Sequence, residues 1–279
     1  MSTTDGAVPR FHHIAVLGSS FAAGPGIAPI IDKSAGRSGR NYAHLVAEFF
    51  GARITDLSVS GATTSTILDT SQRLGVRRCA PQISMLPEDC DLVFITAGGN
   101  DLGYSFSLWR AGWGGWLAKR RLLAGLGRRL TRGALPTAEP EDVARATAGL
   151  ARVVTQVRAR SPHARVLLVD YPTVIGATTT TSPGVPLDDG ALRLFRLVGQ
   201  LLTSAFENAA ASSSAELVQV SAISEDHAVE SEEPWMVGFA PRFSGIPAFH
   251  PNAAGHEAVA RAIEEYLAAH PTGPRTEPV

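Results

Sequence analysis

A serine near the start of the chain and a histidine near its end have the side chains that nucleophilic catalysis needs. Ser20 lies in the glycine-bounded stretch 18–24, and His250 lies in the stretch 249–255, Phe-His-Pro-Asn-Ala-Ala-Gly. Each stretch follows an apolar segment and leads into a segment of helical pattern. A serine hydroxyl is a weak nucleophile until a base accepts its proton, and histidine is the usual base. The pair therefore predicts an enzyme.

Two further stretches carry groups that can stabilise negative charge. The stretch 56–64 contains Gly61, and a glycine lets the backbone amide approach a substrate closely. The stretch 96–101 contains Asn100, whose side-chain amide can donate to a developing oxyanion. The backbone amide of Ser20 is a third candidate donor. Taken singly, each pattern also fits ordinary turn or helix-cap chemistry.

The elements that must position these residues follow from the alternation of apolar runs and helical patterns. Strands alternating with helices predict a parallel sheet that is covered on both faces. The carboxyl ends of the strands then share one edge, which is where such sheets bind ligands. The predicted strands are 14–17, 54–59, 92–96, 166–169 and 217–220, and the predicted helices are 42–50, 142–160, 191–211 and 253–269.

The chain resembles the SGNH (GDSL-type) hydrolase family in four residues that occur in the family's order: Ser20, Gly61, Asn100 and His250. The stretches 98–101 and 249–255 are the most specific parts of the resemblance. It implies an α/β fold, a three-layer α/β/α sandwich with a flavodoxin-like five-stranded parallel sheet. It also implies Ser20 as nucleophile, His250 as base, and an oxyanion hole formed by Ser20, Gly61 and Asn100.

The chain departs from the family's pattern at two positions. Ser19 precedes the nucleophile where the family usually has aspartate, which concerns the bracing of that loop. Pro247 stands three residues before His250, where the family usually has the aspartate that orients the imidazole. The site therefore resembles the Ser-His dyad of actinobacterial-type relatives.

Another group must then orient the imidazole of the histidine. The interpretation we favour is a backbone carbonyl between Ser244 and Pro247, because a proline's carbonyl remains a free acceptor. A carboxylate from the preceding loop is the alternative, and the candidates are Asp226, Glu232 and Glu233.

A basic, tryptophan-rich cap or lid insert is predicted within 104–139. From Tyr104 to Gly133 seven residues are basic and none is acidic. Its apolar residues recur at spacings of three, four or seven, as on one face of a helix: Trp109, Trp113, Trp116, Leu123, Leu126 and Leu130.

Two interpretations of this insert stay open. In the first it is a mobile lid that holds acyl chains or contacts an anionic membrane surface, with Trp109, Trp113 and Trp116 binding substrate. In the second it is an ordinary cap helix whose tryptophans face the core and whose arginines face water.

The predicted function is a serine esterase or lipase that hydrolyses carboxylic esters of small-molecule or lipid substrates through an acyl-enzyme. Acyl transfer or carbohydrate deacetylation would use the same residues. A non-catalytic lipid- or ligand-binding module is the alternative of another class. No metal or phosphate-loop motif is evident, and His256 follows His250 at the wrong spacing for a shared helical face, so we expect no metal and no cofactor.

Composition is consistent with one globular domain, which we predict over 10–270 with flexible ends at 1–9 and 271–279. The 279 residues are 44% hydrophobic and 18% charged, and the net charge of -1 gives no electrostatic reason to bind nucleic acid. Cys79 and Cys90 are expected to be thiols. The start of the chain lacks the layout of a secretion signal, so we expect a cytoplasmic protein, or a secreted one if a signal was removed.

Overall fold

The computed structural model describes residues 10–132, 135–136, 139–241 and 245–271. The predicted flexible ends lie outside these residues, apart from Pro271. The strands are β1 (His13–Gly18), β2 (Ile30–Asp32), β3 (Arg37–Ser38), β4 (Arg53–Asp56), β5 (Gln72–Leu74), β6 (Arg77–Cys79), β7 (Leu92–Thr96), β8 (Arg165–Val169) and β9 (Glu216–Val218). The α-helices are α1 (Ser20–Ala23), α2 (Tyr42–Phe50), α3 (Thr64–Leu68), α4 (Tyr104–Ala118), α5 (Ala124–Arg132), α6 (Pro140–Arg160), α7 (Asp189–Ser213), α8 (Val220–Ile223) and α9 (Ala253–Ala269).

Five strands form the central sheet in the order β4-β1-β7-β8-β9, and every neighbouring pair is parallel. The predicted strand 92–96 and the predicted helices 42–50 and 253–269 agree with the structure residue for residue. Two antiparallel hairpins, β2–β3 and β5–β6, were not predicted, because strands of two or three residues are too short to show a period. The predicted five-stranded parallel sheet is confirmed.

The strands are buried on both faces, which explains why they appear in the sequence as continuous apolar runs. Ile14 and Val16 of β1 join the core formed with α2 and α9, whereas Ala15 and Leu17 join the core formed with α6 and α7. Burying one such Ile, Val or Leu side chain contributes about 1.5–3 kcal/mol relative to leaving it exposed. The two cores thereby fix a helix layer on each face of the sheet.

Helix caps set the ends of the elements that flank the site. The side chain of Asn41 accepts the backbone N–H of His44 at the start of α2, and Gly51 ends that helix with a left-handed φ of 63°. The side chain of Asn252 accepts the N–H of Gly255 and so begins α9 directly after His250. The polar residues of the 249–255 stretch therefore start a helix as well as supplying an imidazole.

The predicted insert forms two helices, α4 and α5, that pack closely against each other. A Cβ at Gly127 would lie 2.2 Å from the backbone nitrogen of Ala118, and one at Gly114 would lie 2.4 Å from Thr131 Oγ1. Gly114 and Gly127 are thus packing positions between the two helices.

Among the described residues, no helix combines the length and apolarity needed to span a bilayer. Cys79 and Cys90 are both free thiols, and Cys90 is buried.

Candidate active site

The hydroxyl of Ser20 and the imidazole of His250 meet at the carboxyl edge of the sheet, although 230 positions separate them in sequence. His250 Nε2 lies 2.8 Å from Ser20 Oγ. Ser20 begins α1 immediately after β1, and His250 lies just before α9. Both residues are buried, with exposed fractions of 5% and 8%. The structure therefore brings together the two residues on which the prediction of an enzyme depended.

The turn that presents Ser20 is held against the neighbouring strand. Gly18 lies so close to β7 that a Cβ there would be 2.4 Å from Thr96 O, and the N–H of Ser19 donates to that carbonyl at 3.0 Å. The side chain of Gln82 bonds both backbone groups of Gly18, accepting from its N–H at 2.9 Å and donating to its carbonyl at 3.0 Å. These contacts fix the end of β1 and hence the position of the hydroxyl.

Ser19 is braced by a tyrosine that follows β8. Its Oγ lies 2.8 Å from the hydroxyl of Tyr171, which also accepts the N–H of Gly99 at 3.3 Å. The ring of Tyr171 packs on Phe21 with 4.4 Å between centroids, and Phe21 in turn packs on His250 at 5.1 Å. The bracing that Ser19 put in doubt is therefore supplied by Tyr171.

Gly61 and Asn100 lie on two loops that are bonded to each other. Asn100 Nδ2 donates to the carbonyl of Ala62 at 2.9 Å, and the carboxylate of Asp101 accepts from the N–H and the hydroxyl of Thr64. Burial raises the pKa of Asp101, and the Thr64 hydrogen bonds oppose that shift. The carboxylate thus stabilises the loop that carries Gly61.

Three donors remain available near this edge of the sheet. The backbone N–H groups of Ser20 and Gly61 have no acceptor among the described residues, whereas the neighbouring amides of Ser60 and Ala62 donate within the loops. Gly61 has a left-handed φ of 81°, which glycine adopts readily. Because a side-chain amide has two N–H groups, Asn100 keeps one after bonding Ala62.

The imidazole is oriented by a carbonyl one residue beyond the segment predicted. His250 Nδ1 lies 3.0 Å from the carbonyl oxygen of Ala248, so the acceptor between Ser244 and Pro247 was wrong by one residue. Ser244 lies outside the described residues. The reason is the conformation of Phe249, which has a left-handed φ of 61°. This turn brings the carbonyl of Ala248 next to the ring of His250. No sequence pattern predicts a left-handed turn at a phenylalanine, because residues other than glycine rarely adopt it.

A short antiparallel pairing holds this turn in place. Val237 accepts the N–H of Phe249 at 2.7 Å and donates its own N–H to the carbonyl of His250 at 2.9 Å. The ring of Phe249 is 1% exposed and belongs to the core. The alternative acceptors, the carboxylates of Asp226, Glu232 and Glu233, make no hydrogen bond to His250 in this part of the structure.

These contacts fix the tautomer of the imidazole. Because a carbonyl only accepts, Nδ1 of His250 carries a proton and Nε2 is the acceptor for the hydroxyl of Ser20. Burial lowers the pKa of His250, and the hydrogen bond that Nδ1 donates to the carbonyl of Ala248 partly opposes the shift. The ring is therefore neutral near pH 7 and able to accept a proton.

An apolar cavity borders Ala248, the residue whose carbonyl orients the imidazole. It has a volume of about 290 Å³ and is bordered by Trp109, Trp113, Phe239 and the segment from Gly245 to Ala248. A second cavity of about 460 Å³ shares Phe239 with the first and is lined by Trp116. Pro247, like Ala248, lies in the wall of this first cavity. Trp113 packs edge-on against Trp116 and Phe239, so the three predicted tryptophans line one continuous region.

Another cavity, of about 400 Å³, lies between α7 and the loop that follows β8. Its lining includes Tyr171, the residue that braces Ser19, but none of Ser20, Gly61, Asn100 and His250.

His256 lies apart from His250 in its contacts. Its Nδ1 accepts the N–H of Tyr42 at 3.1 Å, and its Nε2 is buried without a partner in the described structure. Burial, with a smaller contribution from His250, lowers the pKa of His256 to about 4. Within the described ranges, no group of three or more His, Cys, Asp or Glu side chains is arranged to hold a metal ion.

Sequence reasoning missed three residues that shape the site: Tyr171, Gln82 and Phe249. Tyr171 had a usable signal, since it follows the fourth predicted strand at the edge where ligands bind. Gln82 lies in a 3-10 turn outside any periodic segment, and the role of Phe249 depends on its backbone.

An α/β sandwich with a serine hydroxyl bonded to an imidazole at the carboxyl edge of its sheet is the architecture of a serine hydrolase. The model of the GDSL-like Lipase/Acylhydrolase family matches residues 16–258. The chain is 32% identical over 268 residues to Lipase 2 of Streptomyces coelicolor, covering 94% of this chain and 87% of that protein. The chain therefore belongs to the GDSL-like lipase/acylhydrolase (SGNH) family and is a carboxylic ester hydrolase.

Solved structures share the fold at lower identity. Phospholipase A1 from Streptomyces albidoflavus NA297 superposes with a TM-score of 0.68 at 22% identity, and the match covers 91% of this chain and 99% of that one. The extracellular lipase from Streptomyces rimosus superposes with a TM-score of 0.69 at 20% identity and the same coverage. Both support the α/β/α sandwich.

Proposed function

We propose that Ser20 is the nucleophile and His250 the general base of a dyad esterase that forms an acyl-enzyme. The observation that carries this proposal is the 2.8 Å contact between Ser20 Oγ and His250 Nε2, with Nδ1 held by the carbonyl of Ala248. A neutral imidazole that donates through Nδ1 and accepts through Nε2 is the form that a base requires.

The reaction proceeds in two halves. Ser20 Oγ attacks the ester carbonyl carbon while His250 Nε2 accepts the hydroxyl proton. The bond to the alcohol oxygen then breaks, and His250 returns the proton to that oxygen, leaving the acyl group on Ser20. Water next gives a proton to Nε2 as its oxygen bonds the acyl carbon. The bond to Oγ breaks, and Oγ recovers the proton.

The negative charge that develops on the carbonyl oxygen is stabilised by three donors: the N–H groups of Ser20 and Gly61 and the second N–H of Asn100. The two backbone amides have no competing acceptor in the described structure. A donor that is already in place costs no reorganisation when the charge forms, and loss of one typically lowers kcat by about 10²–10³.

The acyl part of the substrate fits the apolar cavity bordered by Trp109 and Trp113. Its volume of about 290 Å³ far exceeds an acetyl group, and its wall reaches Ala248, two residues from His250. The preferred ester therefore has an acyl chain longer than acetyl. This favours an esterase or lipase over the carbohydrate deacetylase. Acyl transfer to an alcohol uses the same residues, and product analysis with competing alcohols distinguishes it from hydrolysis.

The test is labelling by a fluorophosphonate together with hydrolysis of p-nitrophenyl esters. Ser20→Ala should abolish both while the thermal unfolding curve stays that of a folded protein. The matched control is Ser19→Ala, which removes the neighbouring hydroxyl and its bond to Tyr171; it should slow the labelling without abolishing it. Labelling that survives in Ser20→Ala would refute the nucleophile, and a wild-type protein that is never labelled would support the non-catalytic binding module.

We also propose that the enzyme acts in the cytoplasm. Its support is that Cys79 and Cys90 are both free thiols, which suits a reducing compartment. Fractionation of the tagged full-length protein in its native host tests this, and recovery in the culture medium would contradict it.

A further inference from the structure

The hairpin formed by α4 and α5 has a surface that the esterase chemistry does not use. From Tyr104 to Gly133 the chain places seven of its 25 basic residues and none of its 26 acidic ones. The rest of the chain is therefore net acidic, whereas this hairpin carries a large excess of basic over acidic residues. Lys119, Arg120, Arg121, Arg128 and Arg129 are all exposed.

The same hairpin exposes large apolar side chains. Leu122, Leu123 and Leu126 are 96%, 40% and 52% exposed, and Phe106 and Trp109 are 59% and 42% exposed. These five are a large share of the thirteen exposed large hydrophobic side chains in the described structure, although the hairpin is about a tenth of the chain. Leucines at this level of exposure are unfavourable in water and suggest a surface that is covered in use.

The two kinds of side chain are segregated around α5. Gly127 faces α4, where a Cβ would meet the backbone of Ala118. At 100° per residue around the helix axis, Leu123 and Leu126 lie to one side of Gly127, and Arg128 lies to the other side. Arg129 lies on the outer face, opposite α4. A short helix with leucines along one side and arginines along the next is suited to lie in the headgroup region of a bilayer.

We use the name docking face for α5 together with the turn 119–123 that precedes it. We propose that the docking face binds the surface of an anionic lipid bilayer. The leucines enter the boundary of the acyl chains, and the guanidinium groups contact lipid phosphates. The commitment to a bilayer rests on this combination, because nucleic acid would use the cations but leave the leucines exposed.

The position of the docking face also connects it to the site. Lys119 and Arg120 line the cavity of about 460 Å³, which continues through Phe239 to the cavity beside Ala248. Arg120 lies over the ring of Trp116, with its guanidinium carbon 3.1 Å from the ring centroid. A lipid at the docking face would thus lie next to apolar cavities that extend as far as Ala248, whose carbonyl holds the imidazole of His250.

The experiment measures binding to vesicles in the Ser20→Ala background, so lipid is not consumed. Sedimentation with phosphatidylcholine vesicles containing phosphatidylglycerol is compared with sedimentation on phosphatidylcholine alone. Because each basic residue near such a surface strengthens binding by about fivefold, Arg128→Gln with Arg129→Gln should weaken partition to the anionic vesicles by about tenfold or more. Leu122→Ser with Leu126→Ser should weaken it to a similar extent.

The β5–β6 hairpin offers a matched control. Val76 is fully exposed between Arg73 and Arg78, which are also exposed. The triple variant Val76→Ser, Arg73→Gln and Arg78→Gln removes similar groups elsewhere and should leave partition unchanged. Hydrolysis of p-nitrophenyl butyrate by the same docking-face variants with Ser20 intact checks that they fold.

Three outcomes would overturn the proposal. Equal partition to neutral and anionic vesicles would show that anionic lipid is not recognised. Equal losses of partition in the control and docking-face variants would show that binding does not occur at the docking face. Binding to a DNA duplex that the leucine variants leave unchanged assigns the face to polyanions in general. The proposal does not rest on the esterase activity: vesicle binding without hydrolysis would refute the proposed function alone.

Discussion

The hydroxyl of Tyr171 lies 2.8 Å from Oγ of Ser19, the residue immediately before the candidate nucleophile. The same oxygen accepts the N–H of Gly99 at 3.3 Å, one residue before Asn100. One phenol therefore ties the nucleophile turn to the loop that carries an oxyanion donor. Burial raises the pKa of Tyr171, so the hydroxyl keeps its proton across the working pH range.

Tyr171→Phe should lower kcat by about tenfold or more while KM for a short p-nitrophenyl ester changes little. The variant keeps the ring packing but loses the hydroxyl that bonds Ser19 and Gly99. Small displacements of the reacting groups that follow should lower kcat. Steady-state kinetics checks this, and Ser19→Ala should reproduce a large part of the effect. Full activity in both variants would mean that this bond does not position the site.

The pH dependence of kcat/KM should report a base with a lowered pKa. Burial lowers the pKa of His250 below its usual value of about 6.5. The neutral, reactive form is therefore present above that lowered pKa and is lost only as the pH falls through it. We expect an acidic limb with its midpoint below pH 6.5 and a plateau through pH 7. A midpoint above 7 would show that a charged partner stabilises the imidazolium.

Trp113→Ala should raise KM for long-chain p-nitrophenyl esters more than for the acetate. The side chain lines the cavity beside Ala248, and a longer acyl group would contact more of it. Trp235→Ala is the matched control, because that half-buried indole stacks on His227 outside the cavity. A chain-length profile that is the same in both variants would place the acyl group elsewhere.

Asp170→Asn should stabilise the protein at neutral pH. Burial raises the pKa of Asp170 to about 6, above the usual value of about 3.9. The stabilising contribution of this carboxyl to the free energy of unfolding is therefore full below pH 3.9 and is lost as the pH rises through 6. At pH 7 its charged form destabilises the folded protein. Removing the charge should increase the free energy of unfolding by up to about 3 kcal/mol, less the loss of one of the two oxygens that accept from the N–H and the hydroxyl of Ser221.

Urea unfolding at pH 7 and pH 5 measures this effect. The gain should shrink at pH 5, where the wild-type carboxyl is already largely protonated. His256 works in the opposite direction, because its pKa of about 4 means that protonation opposes folding as the pH falls. The Asn variant should therefore lose stability more steeply between pH 7 and pH 5 than the wild type. A gain that is equal at both pH values would contradict the raised pKa.

Two glycines should respond oppositely to alanine. Gly18→Ala should cost about 1–3 kcal/mol or more, because its Cβ would lie 2.4 Å from the fixed carbonyl of Thr96. Gly125→Ala, with open space around it in α5, should raise stability by about 0.5–1 kcal/mol. Thermal unfolding compares them, and similar effects in the two variants would argue against the close approach of β1 and β7.

The sequence predicted the sheet well because buried parallel strands are continuous apolar runs, as at Leu92–Thr96. It also predicted that Ser20 and His250 lie in contact, since one follows the first strand and the other precedes a capped helix. What it missed depends on the backbone in three dimensions. Nothing in the residue types shows that Gly114 and Gly127 pack two helices together, or that a phenylalanine adopts a left-handed turn.

The acceptor for His250 has a genetic consequence that a side-chain acceptor would not have. Every amino acid at position 248 presents the same carbonyl oxygen, so no substitution there can delete the partner of Nδ1. In a family member with an aspartate in this role, a single codon change removes it. Here the orientation of the imidazole is vulnerable only through the shape of the chain at Phe249, where Val237 and the buried ring hold the turn. The hydrogen bond that orients the base is thus insulated from point mutation at the residue that accepts it.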